Sequence, residues 1–508
     1  MPVDRRSLLR AGAAAALGTA TALHVGGQAS GAAPTAPHAA PGAASGVAPG
    51  VEPAAWQALG RQLSPAARLV RPGDPDYSAR ATADNQRYAG VRPAGVLACA
   101  TEGDVRAAVR WCAAHGVPFA PRSGGHNYAG YSTTSGLVIS LRAMNQVTPQ
   151  GNRLHLGGGA TNSDVYAARA AGLYFPGGRC PGVGVAGLTL GGGLGFNDRK
   201  WGLTCDRMAE TRVVLADGTI VRAAADENPD LFWACRGGAG GNFGINTAFV
   251  FDAVRVDDRR ATVFDLVFPL AAGPAVVEEF QCLLGADRAD DLDVRIGFKH
   301  TGDGTTAATV LGQRLGAEDD ARRVLSGLLK LGPTRAFVEE RGFWSAQDHL
   351  MEKPGAKDCY ASKSLVPSRW LTRDIVARVS EWTRAWQPGP SGATGYVTLF
   401  AMGGTTATLR PDETAYPHRA ATFVIDIGTH WTPGTAAEDV RALLAQTRAI
   451  HHTLRRDLAT DAAYVNFPDP DLHGWQHAYY GPNYARLTGI KHRYDPTGLF
   501  RYAQAVTR

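Results

Sequence analysis

Apolar and polar residues recur along the chain with periods that predict both helices and strands. Val105, Val109 and Cys112 follow one another at four- and three-residue intervals, which indicates a helix with one buried face. Residues 101–104 (Thr-Glu-Gly-Asp) precede them with the pattern of a capping box, and Gly116 follows as a stop residue. A helix is therefore predicted between these limits.

Several short segments are predicted to be strands. Residues 117–121 are extended and lead into a glycine-rich turn, and residues 137–141 (Leu-Val-Ile-Ser-Leu) form one apolar run. Residues 213–221 have Asp-Gly at their centre, which is typical of a hairpin. Later strands are predicted at 261–268 and 422–427, with helices near 317–330 and 436–457. This mixture predicts an α+β fold.

Composition narrows the class of protein. The chain has 508 residues, of which 44% are hydrophobic and 19% charged, so it can bury a large core and is expected to form two closely packed domains. The net charge of +6 is spread along the chain, without a run of Lys or Arg after the first ten positions, so no nucleic-acid partner is expected. Many of the 61 glycines lie between residues 124 and 244, where backbone amides could reach a diphosphate.

The N-terminus has the pattern of an export signal. Residues 4–10 (Asp-Arg-Arg-Ser-Leu-Leu-Arg) carry paired arginines, and residues 11–20 are weakly apolar and rich in alanine. This stretch is too short for a membrane span, and it predicts twin-arginine export of a folded, secreted protein. A flexible alanine-rich leader is the alternative. Residues 30–50, rich in Ala, Pro and Gly, are expected to be a disordered spacer.

Most cysteines carry no recognisable pattern. Six of the seven are Cys99, Cys112, Cys205, Cys235, Cys282 and Cys359. Their spacings form neither a disulfide framework nor a zinc site. They are expected to be mostly buried thiols, and no bridge or metal site is predicted.

His126 and Cys180 are the nucleophiles with the most unusual setting. His126 ends the segment Arg122-Ser-Gly-Gly-His, and Cys180 lies in residues 177–184 (Gly-Gly-Arg-Cys-Pro-Gly-Val-Gly), so a cofactor could approach both turns closely. An imidazole can attack a flavin ring at its 8-methyl group and a thiolate can attack it at C6. Each residue alone could be an ordinary loop histidine or buried thiol; together they indicate a flavin, which the two side chains could attach twice.

A nicotinamide site is the competing interpretation of the same glycines. Residues 182–187 (Gly-Val-Gly-Val-Ala-Gly) match the dinucleotide pattern G-x-G-x-x-G, and Asp206 follows at the expected distance. That pattern needs a strand before it and a helix after it, whereas Cys-Pro precedes it and residues 191–195 (Gly-Gly-Gly-Leu-Gly) follow. Each glycine in a helix costs about 1 kcal/mol, so a loop around a phosphate is predicted instead.

The motifs in this order resemble the berberine-bridge-enzyme-like oxidases, a branch of the vanillyl-alcohol-oxidase-type flavoproteins. Besides the turns at His126 and Cys180, the resemblance includes residues 191–195, residues 237–244 (Gly-Gly-Ala-Gly-Gly-Asn-Phe-Gly) and residues 479–484 (Tyr-Tyr-Gly-Pro-Asn-Tyr). It implies a two-part, PCMH-type FAD-binding domain and FAD attached covalently through His126 and Cys180. A noncovalent or singly linked FAD is the alternative.

The resemblance also implies a domain plan and a set of flavin-binding residues. The expected parts are the signal and spacer (1–50), the FAD-binding domain (51–255), a substrate domain with an antiparallel sheet backed by helices (256–457), and a C-terminal segment that returns to the FAD domain (458–508). The expected flavin-binding residues are Arg122, Ser123, Gly124, Gly125, His126, Ser132, Gly178, Cys180, Val183, Gly184, Gly187, Gly192, Gly195, Gly244, Ile245, Asn483 and Tyr484.

Two tyrosines are the expected catalytic residues. Residues 463–469 (Ala-Tyr-Val-Asn-Phe-Pro-Asp) resemble the family segment that supplies a catalytic tyrosine, and because Phe467 stands where many relatives have a second Tyr, Tyr464 is the candidate base. A tyrosine with its ordinary pKa of about 10 is a poor base, so the pKa of Tyr464 would have to be depressed. Tyr396 is either its partner or part of the pocket wall. Val183 matches a position associated with oxidase behaviour, or simply packs a loop.

These observations predict an exported FAD-dependent oxidase. Hydride would leave an alcohol or hemiacetal carbon of a secondary metabolite or an oligosaccharide, with oxygen as acceptor and hydrogen peroxide as product. The alternatives are a flavin-dependent oxidative cyclase or amine oxidase, which a carboxylate on the substrate side would favour, and a noncatalytic flavin- or carbohydrate-binding protein. Sequence identifies no such carboxylate. The expected partners are a small-molecule substrate, oxygen and the twin-arginine export machinery, and a monomer or homodimer is expected.

Overall fold

The structure is a computed structural model that describes residues 50–353, 355 and 357–507. The export signal and the spacer predicted within residues 1–50 lie outside the described residues, apart from Gly50. Within the described ranges, no helix has both the length and the apolar character that a membrane crossing requires.

The first part of the chain forms a four-stranded sheet with the order β1-β2-β4-β3, in which β2, β4 and β3 are parallel. Its strands are β1 (Arg68–Val70), β2 (Gly95–Ala98), β3 (Phe119–Arg122) and β4 (Leu137–Ser140), and its helices are α1 (Pro53–Gly60), α2 (Tyr77–Ala81) and α3 (Glu102–His115). The chain leaves the carboxyl end of β3 at Arg122, directly before the glycine-rich turn that contains His126.

Helix α3 confirms the helix predicted from periodicity. The Thr101 hydroxyl accepts the Asp104 N–H, and the Asp104 carboxylate accepts the Thr101 N–H, so both halves of the capping box are present. Gly116 ends the helix with a φ of +62°, a conformation that glycine adopts without strain. Val105, Val109 and other apolar side chains of the helix are buried against the sheet.

A second sheet, of five antiparallel strands in the order β5-β6-β10-β8-β9, follows in the chain. The strands of this part are β5 (Val147–Gln150), β6 (Arg153–Gly157), β7 (Leu173–Tyr174), β8 (Met208–Val214), β9 (Ile220–Ala224), β10 (Ile245–Asp252) and β11 (Val254–Arg255), with β7 paired to β11. Its helices are α4 (Asn162–Ala167), α5 (Val185–Leu190), α6 (Asp198–Trp201) and α7 (Pro229–Ala234). The predicted hairpin is confirmed as β8 and β9, with Gly218 at a φ of +85°.

The loop predicted for residues 182–195 is wrong in its middle, because residues 185–190 form α5. Only one glycine, Gly187, lies inside this six-residue helix, so the free-energy cost of glycine in a helix applies at one position. Val185, Ala186 and Leu190 bury apolar surface in the second core and offset it. The glycines before and after the helix remain in turns.

The third sheet has seven antiparallel strands in the order β15-β12-β14-β13-β17-β18-β16. The strands are β12 (Arg260–Phe268), β13 (Leu292–His300), β14 (Thr306–Leu315), β15 (Arg335–Gly342), β16 (Cys359–Leu365), β17 (Thr394–Ala401) and β18 (Phe423–Trp431). The helices are α8 (Gly273–Ala286), α9 (Glu318–Val324), α10 (Ser326–Lys330), α11 (Phe343–Leu350), α12 (Arg373–Ala385) and α13 (Ala437–Leu458), followed by α14 (Trp475–Tyr480) and α15 (Tyr484–Tyr494).

The two faces of this seven-stranded sheet differ in chemistry. One face is apolar and packs on α8, α12 and α13 in the largest hydrophobic core. The other face, here called the polar face, alternates with it along the strands and includes Arg295, Tyr360, Ser362, Tyr396, Phe400, Asp426 and His430. The α+β class and the antiparallel sheet backed by helices are confirmed. The domain boundaries stay a prediction.

Candidate functional site

The turn that contains His126 packs against the turn that contains Cys180. A Cβ atom on Gly124 would clash with the backbone nitrogen of Gly184 and the carbonyl oxygen of Gly182, so the two turns touch backbone to backbone. A Cβ atom on Gly182 would lie 2.8 Å from His126 Nε2. Tertiary structure therefore brings the two predicted attachment segments into direct contact.

The His126 imidazole lies beside a carboxylate. Its Nδ1 is 3.2 Å from Asp84 Oδ2. Burial lowers the pKa of His126 below its usual 6.5. The negative charge of Asp84 raises this pKa, but it reverses only part of the effect of burial. The imidazole is consequently neutral near pH 7, which is the state in which it can act as a nucleophile.

The Cys180 thiol also has a carboxylate partner. Cys180 Sγ donates to Glu352 Oε2 over 2.6 Å, while Asn162 Nδ2 donates to the Cys180 carbonyl over 2.9 Å. Burial, followed by the charge of Glu352, raises the pKa of Cys180 to about 12. The thiol is therefore protonated at neutral pH, and Glu352 is placed to accept its proton.

Four hydroxyl groups just after β3 are buried without a hydrogen-bond partner among the described residues. They belong to Ser123, Tyr131, Ser132 and Thr133. Buried hydroxyls without partners are costly, so a group that supplies several oxygen and nitrogen atoms would stabilise this segment. The ribityl and diphosphate parts of FAD supply such atoms, so the residues of the segment fit this cofactor.

Several other predicted flavin-binding residues contact neighbouring protein groups, mostly through hydrogen bonds. Arg122 is buried and donates to the carbonyl oxygens of Arg80, Ala81 and Ser132, and it thereby fixes the turn after β3. Asn483 donates to the carbonyl oxygens of Pro411 and Thr414. The Tyr484 hydroxyl lies 3.1 Å from Thr507 Oγ1, and Ile245 is buried in the core next to α3.

The remaining predicted positions are backbone positions around the same turns. Val183 N–H donates to the Cys180 carbonyl, and Gly184 is the N-cap of α5. Gly125 and Gly192 have φ values of +84° and +117°, which favour glycine. Gly178, Gly195 and Gly244 have no space for a Cβ atom, whereas Gly187 has open space there.

A buried carboxylate, Asp426, lies on the polar face of the seven-stranded sheet. The Ser362 hydroxyl donates a short hydrogen bond to Asp426 Oδ1, and the Tyr396 hydroxyl lies 3.5 Å from Asp426 Oδ2 as a long donor. Burial raises the pKa of Asp426 to about 7, although the two hydrogen bonds act in the other direction and lower this pKa. A carboxyl group that titrates near neutral pH is suited to proton transfer.

Aromatic rings connect Asp426 with the turn that contains His126. Tyr128 stacks on Phe467 with ring centroids 5.4 Å apart and meets Tyr360 edge to face at 5.0 Å. Burial and then the nearby Asp426 charge raise the pKa of Tyr128, with a smaller contribution from Cys180. The Asp426 carboxylate, the candidate attachment residues His126 and Cys180, and these aromatic rings therefore lie around one region.

Tyr464, the predicted base, is fully buried. Its hydroxyl oxygen accepts the Gly193 N–H over 2.9 Å and an Asn466 side-chain N–H over 3.0 Å. Burial nevertheless raises the pKa of Tyr464, which is opposite to the depression that the base role requires. Tyr396 also has a raised pKa, from burial and from Asp426, so it is a donor to the carboxylate.

Sequence reasoning did not single out Asp84, Glu352, Ser362 or Asp426. Asp426 had a visible signal, because it is the one charged residue in the apolar run Phe423-Val-Ile-Asp-Ile-Gly. The other three lie in polar segments or are common residue types, and only the fold brings them to His126, Cys180 and Asp426. All seven cysteines are free thiols in the structure.

Two family matches cover separate parts of the chain. A FAD binding domain matches residues 93–224, and a berberine and berberine-like domain matches residues 463–507. The first match contains the turns of His126 and Cys180, and the second contains Tyr464.

Relatives and a solved structure extend the similarity to most of the chain. The FAD-linked oxidoreductase YgaK of Bacillus subtilis is 31% identical over 86% of this chain and 96% of its own length. The xylooligosaccharide oxidase of Thermothelomyces thermophilus is 31% identical over 82% of this chain and 87% of its own length. A solved structure of the oxidoreductase GilR with pregilvocarcin has a TM-score of 0.77 and 25% identity, and the match covers 87% of this chain and 100% of that chain.

Proposed function

The chain belongs to the berberine-bridge-enzyme-like family of FAD-linked oxidases, and from this premise we propose that it oxidises an alcohol or hemiacetal carbon with oxygen as the final electron acceptor. The protein is a FAD-dependent oxidoreductase. The observation that carries the proposal is Asp426, a buried carboxyl group with a pKa of about 7 on the polar face. FAD, when bound, supplies a two-electron acceptor for hydride.

Asp426 is the proposed base. Its carboxylate takes the hydroxyl proton of the substrate as the carbon loses hydride, and the Tyr396 hydroxyl remains a donor to Asp426 Oδ2. The Ser362 hydrogen bond fixes the other carboxylate oxygen. Tyr464 is the alternative base, and the two donors to its hydroxyl oxygen would stabilise a phenolate there.

Covalent attachment of FAD through His126 and Cys180 is part of the proposal. The neutral state of His126 and the contact between the two turns support a double link. Asp84 would orient the imidazole through Nδ1, and Glu352 would remove the thiol proton of Cys180. Val183, beside Cys180, is the proposed position that controls access of oxygen.

Two substrate groups remain, and we propose a metabolite with an aromatic skeleton over an oligosaccharide. The relative from Thermothelomyces thermophilus is named for xylooligosaccharides, whereas the GilR structure contains pregilvocarcin. Tyr128, Tyr360 and Phe467 form a cluster of rings near Asp426, and further aromatic rings pack favourably against such a cluster.

We also propose twin-arginine export of the protein, on the pattern of residues 4–20 alone.

A flavin-dependent cyclase or amine oxidase is the second candidate. A carboxylate on the substrate side was expected to favour this class, and Asp426, a buried carboxyl group on the polar face, is the candidate for it. The two reactions differ in the group that loses hydride, so substrate panels separate them.

The test uses the full chain isolated with its FAD. Oxygen consumption and peroxide formation are measured with xylobiose, with aromatic alcohols and with aromatic amines. Turnover of aromatic alcohols above the other two classes supports the proposal. Turnover of amines alone, or no peroxide with any alcohol while the flavin is reduced by amines, would show that the second candidate is correct.

A further inference from the structure

Arg295 occupies an unusual position on the polar face of the sheet. It lies on β13, is 7% exposed, and pairs in register with Phe400 of β17. Its guanidinium carbon lies over two aromatic rings, 4.3 Å from the ring centroid of Phe196 and 4.6 Å from that of Phe400. Stacking of this kind holds the guanidinium plane and leaves its N–H edge available to an acceptor in that plane.

Arg295 is the only buried cationic side chain in the described part of the chain without a hydrogen bond or ion pair there. Arg122 donates to three carbonyl oxygens, and Arg199 donates to the carbonyl oxygens of Leu292 and Met402. Arg419 pairs with Asp206, Lys363 with Asp469, and Lys491 with Asp495. A buried guanidinium without an acceptor is costly, so an acceptor that reached Arg295 would stabilise it.

Two neighbouring carboxyl groups form no hydrogen bond with Arg295 among the described residues. Asp198 and Asp293 influence its pKa, yet neither forms an ion pair with it, and each has one carboxyl oxygen without a hydrogen-bond partner among the described residues. Burial raises the pKa of Asp293 to about 6 and also raises that of Asp198. The donors of Arg295 therefore remain available.

Arg295 belongs to the same region as Asp426 and Cys180. Phe400, which stacks on Arg295, also contacts Phe467 with ring centroids 5.7 Å apart. The strand register places Asp426 two strands and two residues from Arg295, about 12 Å between their backbones at ordinary sheet spacings. Burial and then Arg179 lower the pKa of Arg295, whereas Asp293, Asp198 and, less strongly, Cys180 raise it.

We propose that Arg295 recognises an acidic oxygen group, a carboxylate or phenolate, on the aromatic substrate whose alcohol carbon reacts at Asp426. This inference rests on the proposed function, because it specifies the substrate of that site. The planar guanidinium can bind a carboxylate with two parallel hydrogen bonds, whereas a neutral amide offers a single weaker acceptor. Phe196 and Phe400 fix the guanidinium for this contact before the substrate arrives.

The test compares benzoate with benzamide, two probes of the same shape of which only benzoate is charged. Each is titrated into the enzyme with FAD bound, and dissociation constants are taken from the change in flavin absorbance at pH 8. We expect benzoate to bind at least tenfold more tightly than benzamide. In Arg295→Gln this preference should fall below twofold, and in Arg295→Lys it should be intermediate. Arg335→Gln, on the exposed outer strand, should keep the full preference.

Flavin content and unfolding temperature establish that each variant is folded. Equal affinities in the unaltered enzyme, absence of benzoate binding, or a preference that survives Arg295→Gln would overturn the inference. If Arg295→Gln does not fold, loss of preference in Arg295→Lys decides the matter. If benzoate is preferred through Arg295 but the enzyme oxidises no alcohol, the proposed reaction is wrong and the inference about Arg295 stands. If the enzyme oxidises alcohols through Asp426 but binds the two probes equally, the inference about Arg295 is wrong and the proposed reaction stands.

Discussion

The pKa of Asp426 predicts the pH dependence of the reaction. With a pKa of about 7, the carboxylate is about one-tenth ionised at pH 6 and about nine-tenths ionised at pH 8. If Asp426 is the base, kcat/KM rises about tenfold per pH unit below pH 7 and levels above it. Asp426→Asn should lower kcat/KM by about 10²–10⁴-fold and remove this acid limb.

The hydrogen bond from Ser362 supplies a more specific check. Because this bond lowers the pKa of Asp426, Ser362→Ala should raise that pKa and move the acid limb to higher pH. Asp265→Asn removes a half-buried carboxylate of β12 that pairs with Arg335, and it should leave the profile unchanged. The measurements are initial rates of oxygen consumption between pH 5 and 9. An unshifted profile in Ser362→Ala, or an acid limb that persists in Asp426→Asn, would refute the assignment.

The same carboxyl group makes folding stability fall with rising pH, whereas it makes activity rise. Its pKa is raised from 3.8 in an unperturbed aspartate to about 7 in the folded protein, so its neutral form is favoured on folding. The associated stability is complete below pH 4 and is lost as the pH rises through 7, by up to about 4 kcal/mol. Asp426→Asn should therefore unfold at a higher temperature than the unaltered protein at pH 8, with little difference at pH 4.

Further predictions concern the cofactor and the alternative base. His126→Ala with Cys180→Ala should release all yellow colour into the supernatant on acid precipitation, whereas either single variant should keep it on the protein. Glu352→Gln should slow formation of the Cys180 link, seen by mass spectrometry of flavin peptides, without altering the His126 link. Gly124→Ala should lower the flavin content severalfold, because its methyl group would separate the two turns. Tyr464→Phe should reduce kcat/KM less than tenfold; a larger loss would favour the phenol as base.

Much of the local structure could be predicted from the sequence. Helix α3 and the hairpin of β8 and β9 depend on caps and turn residues within a few positions of each other, so local patterns were sufficient. The attachment candidates were also recognisable, since His126 and Cys180 each lie among glycines in short motifs. Residues 185–190 were assigned wrongly, because burial of the apolar face of α5 outweighs the low helix propensity of its glycine.

The sequence by itself determined the fold class, the FAD-binding motifs and the two candidate attachment residues, because those features are carried by residues close together in the chain. Only the tertiary structure decided the chemistry around them. Ser362 and Asp426 are 64 positions apart, and Cys180 and Glu352 are 172 apart. The pKa near 7 of Asp426 depends on burial and on such distant neighbours, and so does the lack of a hydrogen bond to Arg295 among the described residues. No local pattern encodes these quantities, since desolvation exists only once the sheet has folded.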